Sequence, residues 1–106
     1  MAKYLLEVNY TLDGLQGLVA KGGTARKNAA AAAAKSAGGK LESFYFAFGG
    51  TDAYVVIDMP DNVSAAALAL TVSAAGGVSA RTVVLLTPAE IDDATSKKVG
   101  YKPPGK

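Results

Sequence analysis

The sequence predicts an α+β fold, a four-stranded antiparallel sheet with two long helices on one face. Three observations carry that reading. An alanine-rich helical stretch twice ends in Ala-Gly-Gly and runs straight into a strand, at Ala37-Gly38-Gly39 before Lys40-Leu41-Glu42-Ser43-Phe44 and at Ala75-Gly76-Gly77 before Val78-Ser79-Ala80-Arg81-Thr82. A glycine pair suits a helix C-terminus because one residue can take the left-handed conformation that closes the last turn. Each helical stretch also follows a strand, so the chain reads as two strand–helix–strand units. With 106 residues, 50% of them apolar, one compact domain with a real core is expected.

The first strand spans Lys3–Tyr10, with Leu6, Val8 and Tyr10 on one face and Leu5, Glu7 and Asn9 on the other. A short helix or turn over Asp13–Ala20 follows, closed by Gly22-Gly23. Thr24 is read as the cap of a helix over Ala25–Ala37, whose Ala29–Ala34 run combines high helix propensity with minimal girth and packs closely on a sheet. The second strand, Lys40–Phe48, sets Phe44, Phe46 and Phe48 against Ser43, Tyr45 and Ala47. Gly49-Gly50-Thr51-Asp52 turns the chain into the third strand, Ala53–Met59. Pro60-Asp61-Asn62 ends that strand and opens a helix over Val63–Ala75, capped by Asp61 or Asn62. The fourth strand is Val78–Leu86. Thr87-Pro88-Ala89-Glu90 is a capping box with proline at the first helical position, opening a short helix over Ala89–Ser96. The order β-α-β-β-α-β is the ferredoxin-like split unit. It leaves one face of the sheet without a helix, and a surface of mixed large apolar and polar side chains is normally covered by a second copy. The helix over Val63–Ala75 adds to this expectation. Val63, Ala67, Leu70 and Ala74 form one apolar stripe and Leu68, Val72 and Ala75 another, with no charge on its back, so one stripe needs a cover from the C-terminal helix or a neighbouring chain.

Residues 1–96 are read as the domain and residues 97–106 as a flexible basic tail holding Lys97, Lys98, Lys102 and Lys106. The net charge is +2, and the folded part has no basic stripe interleaved with aromatics, so no nucleic-acid partner is expected. The chain has no cysteine and no histidine. Disulfides, thiolate nucleophiles, Cys/His zinc sites and His-based triads are excluded together, and neither metal nor cofactor is expected. The uncharged stretch from Asn62 to Ala80 is too rich in Ala, Ser, Thr and Gly to span a membrane, and the N-terminus lacks the apolar core of a signal peptide. A cytoplasmic location and no membrane partner are expected.

Six residues are candidates for ligand binding. Arg26 and Lys27 follow Gly22-Gly23 at a helix N-terminus, where free N–H groups and the helix dipole favour an anion; the alternative is a plain turn with solvated cations. Asp52 lies in the turn between the second and third strands, where turn chemistry competes with a ligand role. Tyr45, Tyr54 and Arg81 are polar strand residues, with Glu7, Asn9 and Ser43, that can face an inter-subunit cavity or satisfy one another. Arg81 is expected to lie inside an oligomer, paired first with Glu7. Three classes of function stay open: a non-catalytic homo-oligomeric module that binds a small molecule, an anion being one candidate, a cofactor-free enzyme acting on a small carbonyl or aromatic acid, and a structural assembly subunit. The absence of histidine weighs against the second.

The chain resembles the GYD-domain family through Gly22-Gly23-Thr24-Ala25-Arg26, the run from Gly38 to Gly49, the run from Asp58 to Ala67, and Leu85-Leu86-Thr87-Pro88-Ala89-Glu90, together covering about residues 3–95. The resemblance implies a small bacterial protein of the dimeric α–β barrel type and brings no activity with it. The Gly-Tyr-Asp that names the family is Gly50-Thr51-Asp52 here, so any contact made by that tyrosine is missing.

Overall fold

The computed structural model describes residues 1–105. Its elements are β1 (Ala2–Tyr10), α1 (Leu12–Lys21), α2 (Gly23–Ser36), β2 (Lys40–Phe46), β3 (Ala53–Met59), α3 (Asn62–Ala74), β4 (Val78–Leu85) and α4 (Pro88–Ser96). The four strands form one sheet in the order β2-β3-β1-β4, and every neighbouring pair is antiparallel. This is the ferredoxin-like arrangement, with β1 and β3 central.

Strict alternation puts Tyr4, Leu6 and Val8 of β1 and Val55, Ile57 and Met59 of β3 on the helix side, where they are buried with Ala34 of α2 and Ala65 and Leu68 of α3. Burying those side chains on one face is the main stabilising term of the fold. The Tyr4 hydroxyl reaches the start of α3 and donates to Asn62 Oδ1. The cap itself is Asp61, whose Oδ1 accepts from the Ser64 N–H at 2.8 Å. At α4 the capping box is complete, with Thr87 and Glu90 exchanging side-chain and backbone hydrogen bonds.

The two Gly-Gly pairs divide their work. Gly38 and Gly76 both take φ +89°, the left-handed value that ends each helix. Close approach is allowed by Gly39 in the first pair and, at the second, by Gly14 facing the Gly77 carbonyl. A Cβ at Gly39 would run into the carbonyl oxygen of Asp58 and the sulfur of Met59. The Gly77 carbonyl occupies the space a Cβ on Gly14 would need.

Several boundaries differ from the sequence reading. The Asp13–Ala20 segment is a full helix, α1, capped by the Thr11 hydroxyl, which accepts from the Gly14 N–H at 3.2 Å. Thr24 is not a cap. α2 begins at Gly23 behind Gly22, which has φ 85° and closes α1 by donating to Leu18 O at 2.7 Å. One glycine alone separates the two helices, with no longer loop between them. β2 ends at Phe46, and the Phe48 side chain is fully exposed. A bulge between Leu41 and Ser43 shifts the register, so Glu42 has no partner opposite it on β3. β4 ends at Leu85.

α3 turns Ala65, Leu68 and Val72 to the sheet and leaves Val63 and Leu70 exposed. α4 buries none of its residues, so it does not supply the cover that the outer stripe of α3 lacks. No helix is long and apolar enough to cross a membrane among the described residues.

Candidate functional site

The open face of the sheet is set by register. Tyr45 of β2 lies opposite Tyr54 of β3, Tyr54 opposite Glu7 of β1, and Glu7 opposite Arg81 of β4, so these side chains form one polar row across all four strands. The adjacent row is Ser43, Val56, Leu5 and Val83. A third row holds Lys40, Asp58, Lys3 and Leu85. Here Lys3 Nζ bridges Glu42 at 2.8 Å and Asp58 at 2.9 Å. Hydrogen bonds to Glu42 and then Asp58 hold the Lys3 ammonium above the ordinary lysine range.

Arg81 anchors the polar row. Its Nε–H donates to Glu7 Oε2 at 3.4 Å, one Nη to Asn9 Oδ1 at 3.4 Å, and the other to Thr51 Oγ1 at 3.2 Å. The expected Glu7 pairing is therefore present. Within the single chain the Arg81 side chain keeps 60% of its exposure and that of Glu7 30%. A guanidinium has five N–H donors, so three contacts fix the fork while others stay free toward the open face. Tyr45, 70% exposed, and Tyr54, 40% exposed, stand on the same face.

The turn before β3 ties this row to the sheet end. Asn9 Nδ2 donates to Gly50 O at 2.8 Å, and Asp52 Oδ2 accepts from the Tyr10 N–H at 2.8 Å. The Asp52 N–H donates to Val8 O at 2.9 Å, while its carbonyl accepts from Ala47 N at 2.8 Å. Asp52 thus serves the backbone of β1 with its carboxylate, where the sequence suggested a bond within its own turn. Thr51 is buried, and its hydroxyl serves Arg81.

The family model of the GYD domain matches residues 4–95. The chain belongs to the GYD-domain family. No curated protein and no solved structure is similar enough to count as a match. In this GYD domain all three motif positions act at the sheet end: Gly50 through its carbonyl, Thr51 through its hydroxyl, and Asp52 through its carboxylate. Threonine at the tyrosine position holds the arginine of β4.

Arg26 and Lys27 do not act together. Arg26 is half-buried and turns into a cleft between α1, α2 and α3 with Tyr10, Lys21 and Val72. Lys27 is exposed and borders an outer groove with Lys35 and Lys40 on the other side of α2. Helical geometry separates adjacent residues by about 100°, so a neighbouring pair cannot share a narrow site. The six candidates therefore fall into separate places: Tyr45, Tyr54 and Arg81 on the open face, Asp52 at the sheet end, Arg26 inside the cleft, and Lys27 outside. Sequence reasoning missed Thr51 and Lys21 as neighbours of these groups. The polar character of Thr51 beside the hairpin aspartate was visible, but nothing in spacing links it to Arg81. No group of three metal-ligating side chains occurs among the described residues.

Proposed function

We propose that this GYD domain is a non-catalytic homo-oligomeric module that pairs its open sheet faces and binds a small, anionic ligand between them. The observation that carries the reading is the composition of that face. An apolar row of Leu5, Val56 and Val83 lies directly beside the Tyr45–Tyr54–Glu7–Arg81 row, with no helix above either. A second copy would remove the apolar row from water and enclose the polar one. Arg81 would then sit in a low-dielectric chamber with spare donors, which suits a small anion. The cluster contains no histidine or cysteine, which favours binding over turnover.

Sedimentation velocity at micromolar protein tests the assembly. The parent chain is expected as a dimer or higher oligomer, and Val83→Lys as a folded monomer, because a charge at the β4 end of the apolar row opposes pairing. Arg81→Ala in the assembly should cost on the order of 3–5 kcal/mol if the Glu7 carboxylate is left buried without its partner. A parent chain that sediments as a monomer refutes the reading, as does an Arg81→Ala protein as stable as the parent.

A further inference from the structure

A cavity of about 80 Å³ lies beneath α2 and α3. The sheet supplies its floor with Leu6, Val8 and Phe44, α2 borders it with Ala30 and Ala33, and α3 with Leu68. It exists because the part of α2 over the sheet is alanine. Side chains that short hold the helix in place but do not fill the space above Leu, Val and Phe. Arg26 is the one charged residue of its lining.

Arg26 also borders the wider cleft of about 450 Å³ that opens between α1 and α3, so cavity and cleft meet at its side chain. Its Nε is buried and has no hydrogen-bond partner among the described residues. A buried guanidinium N–H without an acceptor is costly and uncommon in native structures. The cavity walls are mainly hydrocarbon, and the Tyr10 side chain that also lines them does not bond to it. Lys21 stands at the mouth and adds a second cation; Asp13 also lines the mouth, and neither cation forms an ion pair with it among the described residues. The vacancy is thus apolar at depth and short of one anionic acceptor at Arg26.

We propose that this cleft takes a short aliphatic carboxylic acid, its hydrocarbon chain in the cavity under Ala30 and Ala33 and its carboxylate on the Nε–H of Arg26. Carboxylate matches a guanidinium edge in plane and charge. The volume selects the chain over a ring, since a cavity of roughly 150 Å³ accommodates benzene and this one holds about half of that. The site lies on the helix side of the sheet and does not depend on pairing of the open faces.

The sequence contains two arginines, Arg26 and Arg81, so the arginine Nε–H region of a ¹H–¹⁵N spectrum reports each site separately. Titration of the full chain with butanoate is expected to move the Arg26 Nε–H together with the backbone amides of Ala30, Ala33 and Leu68. Butanamide, of the same shape without the charge, should leave them in place. Arg26→Gln should weaken butanoate binding by about tenfold or more, the loss expected of one charge-assisted hydrogen bond. Ala33→Leu, which fills the cavity and keeps Arg26, should weaken it as well. The proposal is overturned if butanoate leaves Arg26 unmoved, if butanamide binds equally well, or if benzoate moves the cavity amides as strongly as butanoate does. A response confined to Arg81 also overturns it and places the anion on the open face instead. The parent-chain titration decides the matter even if either variant does not fold.

Discussion

Two glycines of α1 should respond to the same substitution with opposite signs. Gly14→Ala places a methyl group where the Gly77 carbonyl stands, with the carbonyl carbon only 2.8 Å away and Tyr10 Cδ1 at 3.1 Å. Gly17→Ala meets nothing within 4 Å. At Gly17 the exchange lowers the entropy of the unfolded chain and improves helix propensity, a gain of about 0.5–1 kcal/mol. At Gly14 the same gain is opposed by one of two losses. If the contact compresses, overpacking costs roughly 1–3 kcal/mol. If α1 withdraws, it gives up the Thr11 N–H to Gly77 O bond at 3.0 Å and the Thr11 Oγ1 to Gly76 O bond at 2.7 Å. Two such bonds are together worth about 1–3 kcal/mol. Either route leaves Gly14→Ala below the parent by about 1 kcal/mol and below Gly17→Ala by about 2 kcal/mol. Urea unfolding of the three proteins measures this, and for a domain of this size the gap should separate the two variant midpoints by roughly 1 M. Equal midpoints for the two variants would show that α1 is not locked against the α3–β4 turn. The cleft beside Arg26, which that lock shapes, would then lose its fixed wall.

The Ser64 N–H holds the Asp61 carboxyl below the ordinary aspartate value of 3.8, so its contribution to stability is present above that value and is lost as pH falls through the lower folded one. Asp61→Asn keeps an acceptor for Ser64 and removes the titration; its acid unfolding curve should fall less steeply than the parent's below pH 3.8, and identical acid limbs would remove Asp61 from the account. Lysine on α3 should act by face: Leu68→Lys puts a charge against the sheet and should unfold the chain, whereas Leu70→Lys, at a position 71% exposed, should leave the circular dichroism melt of the folded chain near the parent's. A Leu70→Lys protein as destabilised as Leu68→Lys would mean that the outer stripe of α3 is packed within its own chain.

The sequence by itself determined the elements whose causes lie within a few residues. The capping box at Thr87 and Glu90 joins residues only three positions apart, as does Asp61 capping Ser64. The glycines that end α2 and α3 are legible for the same reason, and the alternation of β1 already separates Tyr4, Leu6 and Val8 from Glu7 and Asn9. The order of strands and helices follows, and with it the bare face of the sheet. Tertiary structure decided which polar groups meet. α1 is a settled helix because its Thr11 cap is tied to Gly76 and Gly77, 65 and 66 positions further along the chain. Arg81 reaches Thr51 across 30 positions, and Asp52 serves Tyr10 across 42. Arg26 and Lys27, adjacent in sequence, are parted by the turn of α2 into an inner cleft and an outer groove. Periodicity tells which face a side chain takes but not which residue lies opposite it. Partners are fixed by strand register, by the bulge after Leu41 and by how closely glycine lets two backbones approach, and each of these is a relation between segments that the chain brings together only on folding.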